Sequence, residues 1–248
     1  MSTLSKPSHA YRKHFIPLES NPEVFTELIH QLGVSTTLEF QDVLSLDDPE
    51  LLAFLPRPAY ALILVFPTTP AYKDKVRDED AKREPYETTH SDSDVSFFKQ
   101  TINNACGLYA ILHAICNGEA RNMRASTSII ARLQSEALSL NPHNLALQLE
   151  GDAELEEAYA RVARKGDTEA PENADDEVDY HYVCFVRSHN NDHLYQLDGD
   201  REQPIDFGLM PANEDVLSKQ CLDVVRGMIG LEDGNLNFSL MALVPTET

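Results

Sequence analysis

The 248-residue chain is poor in several things, and each shortage excludes a class of protein. It has 4 cysteines, at positions 106, 116, 184 and 221. They form no CxxC pair and show no metal-finger spacing, so neither a disulfide framework nor a zinc module is indicated. Long apolar runs are missing too. The longest, Ala59 to Phe66, covers about eight residues, whereas a membrane span needs about 20. The opening stretch MSTLSKPSHAYRKHF lacks the apolar core of a signal peptide. A cytoplasmic location is expected, with the nucleus also open, and either would keep thiols reduced. The sequon-like Asn237-Phe-Ser is then not expected to carry sugar.

Basic residues are scarce: 20 Lys and Arg stand against 41 Asp and Glu, for a net charge of −21. Such a field repels nucleic acid and anionic membranes. It would attract a basic protein or peptide, although acidity also serves solubility alone. From Glu150 to Asp179 there are 12 acidic and 3 basic residues, so the charge is concentrated.

What is present reads as one mixed domain over residues 1–248, with no repeats and no clean linker. Ser20-Asn21-Pro22-Glu23 predicts a helix start, followed by Val24, Leu28 and Leu32 at helical spacing and stopped by Gly33. Leu38 to Leu44 predicts a short strand, and Asp48-Pro49-Glu50 a helical turn reaching Leu55. AYALILVF, from Ala59 to Phe66, predicts a central strand. Residues 70–95 read as a charged surface loop with some helix. Further helices are expected over 127–140, 145–164 and 216–228. Tyr182 to Val186 and His193 to Leu197 predict a hairpin turning at His189-Asn190. Phe238 to Val244 predicts a last, interior strand. KGDTEAPENADDEVD, residues 165–179, predicts a mobile surface segment.

The stretch QTINNACGLYAILHAICNG, residues 100–118, sets a thiol between a polar run and a buried helical face built on Leu108, Ile111, Leu112 and Ile115. Cys106 therefore stands at or just before a helix N-terminus, where unpaired N–H groups and the dipole favour a thiolate. A cysteine nucleophile also needs an oriented base. Nine histidines compete. His9, His14 and His90 lie in polar or terminal stretches and are expected to be solvated. His30 sits on a helix flank, and His143 and His189 at turns. His113, two turns beyond the cysteine, is expected to be a packed, hydrogen-bonded core residue. His181 opens one hairpin strand and Asp198 closes the other. With a turn at 189–190 the two would be directly opposed and about 5 Å apart. A one-step move of the turn would shift the pairing by two residues. A carboxylate so placed could fix the imidazole tautomer. Gln100 precedes the cysteine, and its amide with the Cys106 backbone N–H could supply two oxyanion donors.

Gln100-x-x-x-Asn104-Ala105-Cys106-Gly107 followed by Ile111-Leu112-His113-Ala114-Ile115 resembles the active-site signature of the ubiquitin carboxyl-terminal hydrolases, peptidase family C12. His181 before its apolar strand and Leu194-Tyr-Gln-Leu-Asp198-Gly199 are similar to the family's histidine and aspartate segments. Ile16-Pro-Leu-Glu-Ser-Asn-Pro-Glu23 and Asp48-Pro-Glu-Leu-Leu through Leu55-Pro-Arg-Pro58 extend the likeness over nearly the whole chain. It is closest to the small members made of a catalytic domain alone. One departure is Cys116, where the family prefers Ala or Ser. It lies roughly 15 Å along the helix from Cys106, too far for a disulfide.

The resemblance implies an α+β, papain-like cysteine peptidase core, with a central antiparallel sheet sandwiched by helices and a knotted backbone. It implies a nucleophile at Cys106, a general base and acid at His181, an orienting carboxylate at Asp198 and an oxyanion donor at Gln100. Leu18, Glu19, Glu23 and Asp42 match positions that contact ubiquitin, and Asn104 is expected to help hold the substrate tail. The acidic segment near 159–178 corresponds to a loop crossing the active site. The implied activity is thiol-dependent hydrolysis of amide, ester or thioester bonds after the C-terminal glycine of ubiquitin, or of a close ubiquitin-like modifier. Small or flexible leaving groups would be favoured. No metal or organic cofactor is implied, and a monomer is expected. Two other readings stand beside this one. A ubiquitin-binding protein without activity would not need the set Gln100, Cys106, His181 and Asp198. An unrelated papain-like peptidase or acyltransferase would not need the matching front end.

Overall fold

Two segments of the chain are apolar at nearly every position because the strands they form are buried on both faces. The computed structural model describes residues 11–83, 94–137, 139–169, 171–174, 178–231 and 237–247. His9 and His90 lie outside the described residues. The first half runs β1 (Lys13–His14), α1 (Pro22–Gln31), β2 (Leu38–Asp42), α2 (Pro49–Leu52), β3 (Ala61–Pro67), α3 (Pro70–Asp80), β4 (Ile102–Asn103) and α4 (Cys106–Cys116). Then follow α5 (Ile129–Ala137), α6 (Pro142–Gly151), α7 (Ala153–Val162), β5 (Tyr180–Arg187), β6 (His193–Leu197), β7 (Ile205–Leu209), α8 (Lys219–Gly230) and β8 (Ser239–Pro245).

The main sheet has the order β2-β8-β3-β5-β6-β7, with every neighbouring pair antiparallel. Strand side chains alternate between faces, and here both faces are covered. Ala61, Ile63 and Val65 of β3, with Cys184 and Val186 of β5, face a core shared with α1, α4, α5 and α7. Leu62, Leu64 and Phe66, with Val183 and Phe185, face a second core closed by α8 and by Tyr72 of α3. That is why AYALILVF carries no period-two pattern. The expected central strand is β3, and the expected interior last strand is β8, which lies between β2 and β3.

Helix α1 starts as its sequence signals. The Asn21 side chain accepts from the backbone N–H of Glu23 and Val24, and Pro22 fills the first turn. Gly33 follows the helix at φ 93°, a left-handed conformation that glycine adopts without strain. Elsewhere the structure differs from expectation. Residues 145–164 are not one helix but α6 and α7, divided at Asp152. Asp152 caps α7 by accepting from Leu155 N at 3.0 Å, and its carboxylate pairs with Arg132 at 2.6 Å. The helix expected within residues 70–95 is α3, which covers Pro70–Asp80, while residues 84–93 lie outside the described residues. Strand β7, Ile205-Asp-Phe-Gly-Leu209, alternates apolar residues over only five positions and is not among the expected strands, and the two-residue parallel pair β1–β4 is too short to stand out in the sequence.

The hairpin register also moves. Cys184 pairs with Leu197 and Phe185 with Gln196, two residues from the expected alignment. The turn sits one step later than expected: Ser188 Oγ accepts from the N–H groups of Asn190 and Asn191, and Asp192 takes φ 61°. A two-residue shift keeps every side chain on its face. His181 and Asp198 thus become diagonal rather than direct neighbours, still on the same side of the sheet.

Candidate active site

Helix α4 begins at Cys106 with no side-chain cap on its first N–H groups. Those groups remain available to an anion at the cysteine. The turn into the helix is sharp, with Asn104 at φ 57°. From Gly107 to Cys116 every residue is buried, so the core fixes the helix and with it the thiol. Cys106 itself is only partly buried. The other three cysteines are buried, and none forms a disulfide. Burial pushes the Cys116 thiol up to about 12, which leaves it protonated and inert. His113 is the packed residue expected: its Nε2 accepts from Phe98 N at 2.9 Å, and its ring stacks on Phe97.

His181 and Asp198 meet in a dry setting. His181 Nε2 donates to Asp198 Oδ1 at 2.7 Å, and the two side chains are 6% and 0% exposed. Tyr72 donates its hydroxyl to Asp198 Oδ2 at 2.9 Å, and the Asp200 N–H donates to Oδ1 at 2.9 Å. Burial acts to lower the His181 pKa. The charges of Asp198 and Asp200 and the bonds to Asp198 and Cys106 outweigh it, so the imidazole lies well above 6.5. Burial would raise Asp198, yet the His181 charge and these three donors hold it below its usual value. With Nε2 committed to Asp198, Nδ1 is the ring nitrogen left for the Cys106 thiol.

Gln100 is held beside this pair by the chain that follows Asp198. Its backbone N–H donates to Gly199 O at 2.9 Å. A Cβ on Gly199 would lie 2.9 Å from Gln100 Cβ, so the approach requires glycine. Gln100 Nε2 donates to Ile102 O at 3.1 Å, which leaves its second hydrogen for another acceptor.

Two clefts flank these residues. One, of about 590 Å³, is lined by Cys106 with Leu18, Glu19, Asn104, Val178 and Tyr182. The other, of about 780 Å³, is lined by Gln100, His181, Asp198 and Asp200 with Tyr11 and Glu150. Three of the five residues matched to substrate contacts thus gather at the thiol. Glu23 instead opens a separate groove on α1 with His30 and Glu39. Asp42 is exposed at the end of β2, away from both clefts.

Several described residues of the acidic segment, among them Gly166, Thr168, Glu169 and Val178, line the first cleft. The segment's first four residues, 159–162, still belong to α7. Beyond them Glu19 accepts from Asp167 N at 3.1 Å, from Thr168 N at 2.7 Å and from the Thr168 hydroxyl. Burial pushes the Glu19 carboxyl up, but these bonds outweigh it and hold the group below its usual value. Lys165 pairs with Glu27 at 2.5 Å, and Asn104 Nδ2 donates to Ala174 O at 2.9 Å. Gly166 passes so near Glu19 that a Cβ there would fall 2.3 Å from the carboxylate. Glu19 and Asn104 are therefore engaged by the chain's own segment in this structure.

A buried, carboxylate-oriented histidine beside a thiol at an uncapped helix start is the constellation of a cysteine hydrolase. The sequence profile described as "Ubiquitin carboxyl-terminal hydrolase, family 1" matches residues 15–230. The chain belongs to this family of cysteine peptidases. Among curated relatives, "Ubiquitin carboxyl-terminal hydrolase 3" of Arabidopsis thaliana is 35% identical over 244 residues, 98% of each chain. "Ubiquitin carboxyl-terminal hydrolase" of Aplysia californica is 38% identical over 217 residues, 88% of this chain and 95% of that one. "Ubiquitin carboxyl-terminal hydrolase isozyme L1" of Homo sapiens is 32% identical over 227 residues, 92% of this chain and 96% of that one. Among solved structures, the Trichinella spiralis UCH37 catalytic domain bound to ubiquitin vinyl methyl ester matches with a TM-score of 0.74 and 22% identity. That match covers 96% of this chain and 98% of the other, and it supports the papain-like fold.

Several residues around the hydrolase site carry no sequence signal. Tyr72 lies 126 positions from the carboxylate it bonds. Arg201, buried beside Asp198, joins that turn to α3 through Glu79 at 2.7 Å and Asp80 at 3.0 Å. The surface-like charge pattern of α3 conceals this role. Asp200 follows the motif Leu-Asp-Gly closely enough to be found, but it reads as a turn residue.

Proposed function

We propose that this chain is a thiol-dependent deubiquitinase that hydrolyses amide, ester or thioester bonds after the C-terminal glycine of ubiquitin. Family membership supports the substrate. The single observation that carries the chemistry is the 2.7 Å His181–Asp198 pair beside Cys106, on the family's own motif. In this reading the Cys106 thiolate attacks the glycine carbonyl carbon and forms a C–S bond. The developing oxyanion is stabilised by the Cys106 N–H and the second hydrogen of Gln100 Nε2. His181, protonated at Nδ1, gives that proton to the leaving nitrogen as the C–N bond breaks. Water then attacks the thioester, His181 takes a proton from it, and the thiolate departs. Asp198 keeps the imidazole in the required tautomer and supports its positive form.

The groove of about 590 Å³ containing Cys106, Leu18, Glu19 and Asn104 is proposed to take the ubiquitin tail. Glu23 and Asp42, both exposed, are proposed to meet the folded part of ubiquitin. A segment spanning the groove leaves room for small or flexible leaving groups rather than folded ones. The proposal includes a monomeric form acting in the cytoplasm or nucleus, where the thiol stays reduced.

The test is incubation with ubiquitin carrying a C-terminal vinyl ester electrophile. A covalent adduct mapped to Cys106, and lost in Cys106→Ala, is the expected result. An adduct at any other residue, or none, would overturn the assignment.

A further inference from the structure

Resting on the function just proposed, we infer that Asp200 selects leaving groups carrying a positive charge close to the scissile nitrogen. The two clefts at the site share no lining residue. The first holds Cys106 and the proposed tail contacts, so the second is where the leaving group lies after the bond is cut. His181 stands at the boundary. Its Nδ1, the atom that protonates the leaving nitrogen, is 3.8 Å from Asp200 Oδ2. Among the described residues, no other cation lies within 4.0 Å of the Asp200 carboxylate. Its side chain is 52% exposed, toward the cleft of about 780 Å³.

Several other charges of that cleft are committed, while Arg12, Lys73 and Glu150 also line it. Asp80 is held by Arg201, and Arg77 by Asp74 and Asp78. Lys99 donates to the carbonyl oxygens of Asp200 and Arg201 and to Glu202. Asp200 is fixed in place by its backbone on both sides: its N–H binds Asp198 and its carbonyl binds Lys99. The carboxylate is therefore presented without depending on its own charge for position. Its field reaches across the site, raising both the His181 imidazole and the Tyr11 phenol. A leaving group carrying a cation within a lysine side chain's length of the cut bond would lie within reach of Asp200.

Two ubiquitin isopeptides differ in charge beside the lysine Cα, and the Asp200 variants control for their difference in shape. Both are linked through the lysine Nε, one to Nα-trimethyl-lysine amide and the other to Nα-acetyl-lysine amide. A unit charge about 6 Å from a carboxylate in a wet cleft corresponds to about threefold to tenfold. The native protein should therefore favour the trimethylated conjugate in kcat/KM by that factor. Asp200→Asn should bring the ratio close to one, Asp200→Glu should keep it, and Asp200→Lys should invert it. The ratio compares two substrates on one protein, so a general loss of activity or stability leaves it unmoved. A native ratio near one, or a preference surviving Asp200→Asn, would overturn the inference while leaving the hydrolase intact. Failure of the native protein to cut either conjugate would instead overturn the hydrolase reading, and this inference with it.

Discussion

Replacing Asp198 by asparagine separates two things a carboxylate does for a catalytic histidine: orienting it and supplying charge. The new amide side chain can sit in two ways. With its oxygen in the Oδ1 place it still accepts from His181 Nε2 and the Asp200 N–H, which lie 2.7 and 2.9 Å from that oxygen in the native protein. Its NH2 group then faces the Tyr72 hydroxyl, which can rotate and accept. Turned the other way, the NH2 group would meet two donors at once, so the first arrangement wins. The imidazole tautomer survives and only the counter-charge is lost. In serine-protease triads, where the same change imposes the wrong tautomer, the loss is about 10⁴-fold. Here the loss comes from His181 alone becoming harder to protonate. Losing the counter-charge removes part of the general acid–base contribution, which is typically about 10²- to 10⁴-fold in all. We expect kcat/KM to fall about 100- to 1,000-fold, with the alkaline limb moving to lower pH. The assay is hydrolysis of a ubiquitin C-terminal fluorophore across pH, with a thermal melt to confirm folding. A drop of 10⁴-fold or more in a folded variant would refute the tautomer argument. An unchanged rate would remove Asp198 from the mechanism. The pH dependence of stability has two opposed parts. His181, raised above 6.5, contributes stability that is complete below about pH 6.5 and lost as pH rises through its folded pKa. Asp198, held below 3.8, contributes stability that is present above about pH 4 and lost as the medium becomes more acid.

Three further outcomes follow from the crossing segment and the charge. Glu19→Gln removes the acceptor charge for three donors at an exposed site, so hydrogen exchange at Asp167 and Thr168 should rise about two- to fivefold; unchanged exchange would mean that Glu19 does not hold the segment. Inserting Gly-Ser residues after Glu169 should cost little stability, since loop entropy grows logarithmically. It should speed cleavage of folded di-ubiquitin while barely changing a small fluorophore; a native protein that already cuts both equally fast would refute the aperture. Association with ubiquitin should slow as salt shortens screening to about 8 Å at physiological ionic strength, given the −21 charge; a flat salt profile would exclude electrostatic steering.

Elements under the control of local chemistry are legible in the sequence. Asn21-Pro22 marks the start of α1, the apolar run from Ala59 marks a strand covered on both sides, and the motif around Cys106 marks a thiol at a helix start. His181 and Asp198 are legible as a pair because strand alternation survives a two-residue register error. Other features join residues that no local pattern connects, and they emerge only when the chain is folded. Asp152 divides one apparent helix because Arg132, 20 positions earlier, meets its carboxylate. Tyr72 and Arg201 tie a charged, surface-like helix to the catalytic turn. Glu19, which the sequence offers as a surface for another protein, is occupied by residues 148 and 149 positions away. Periodicity reports which face of an element is buried. Which polar groups then complete one another across that burial depends on where distant segments come to rest.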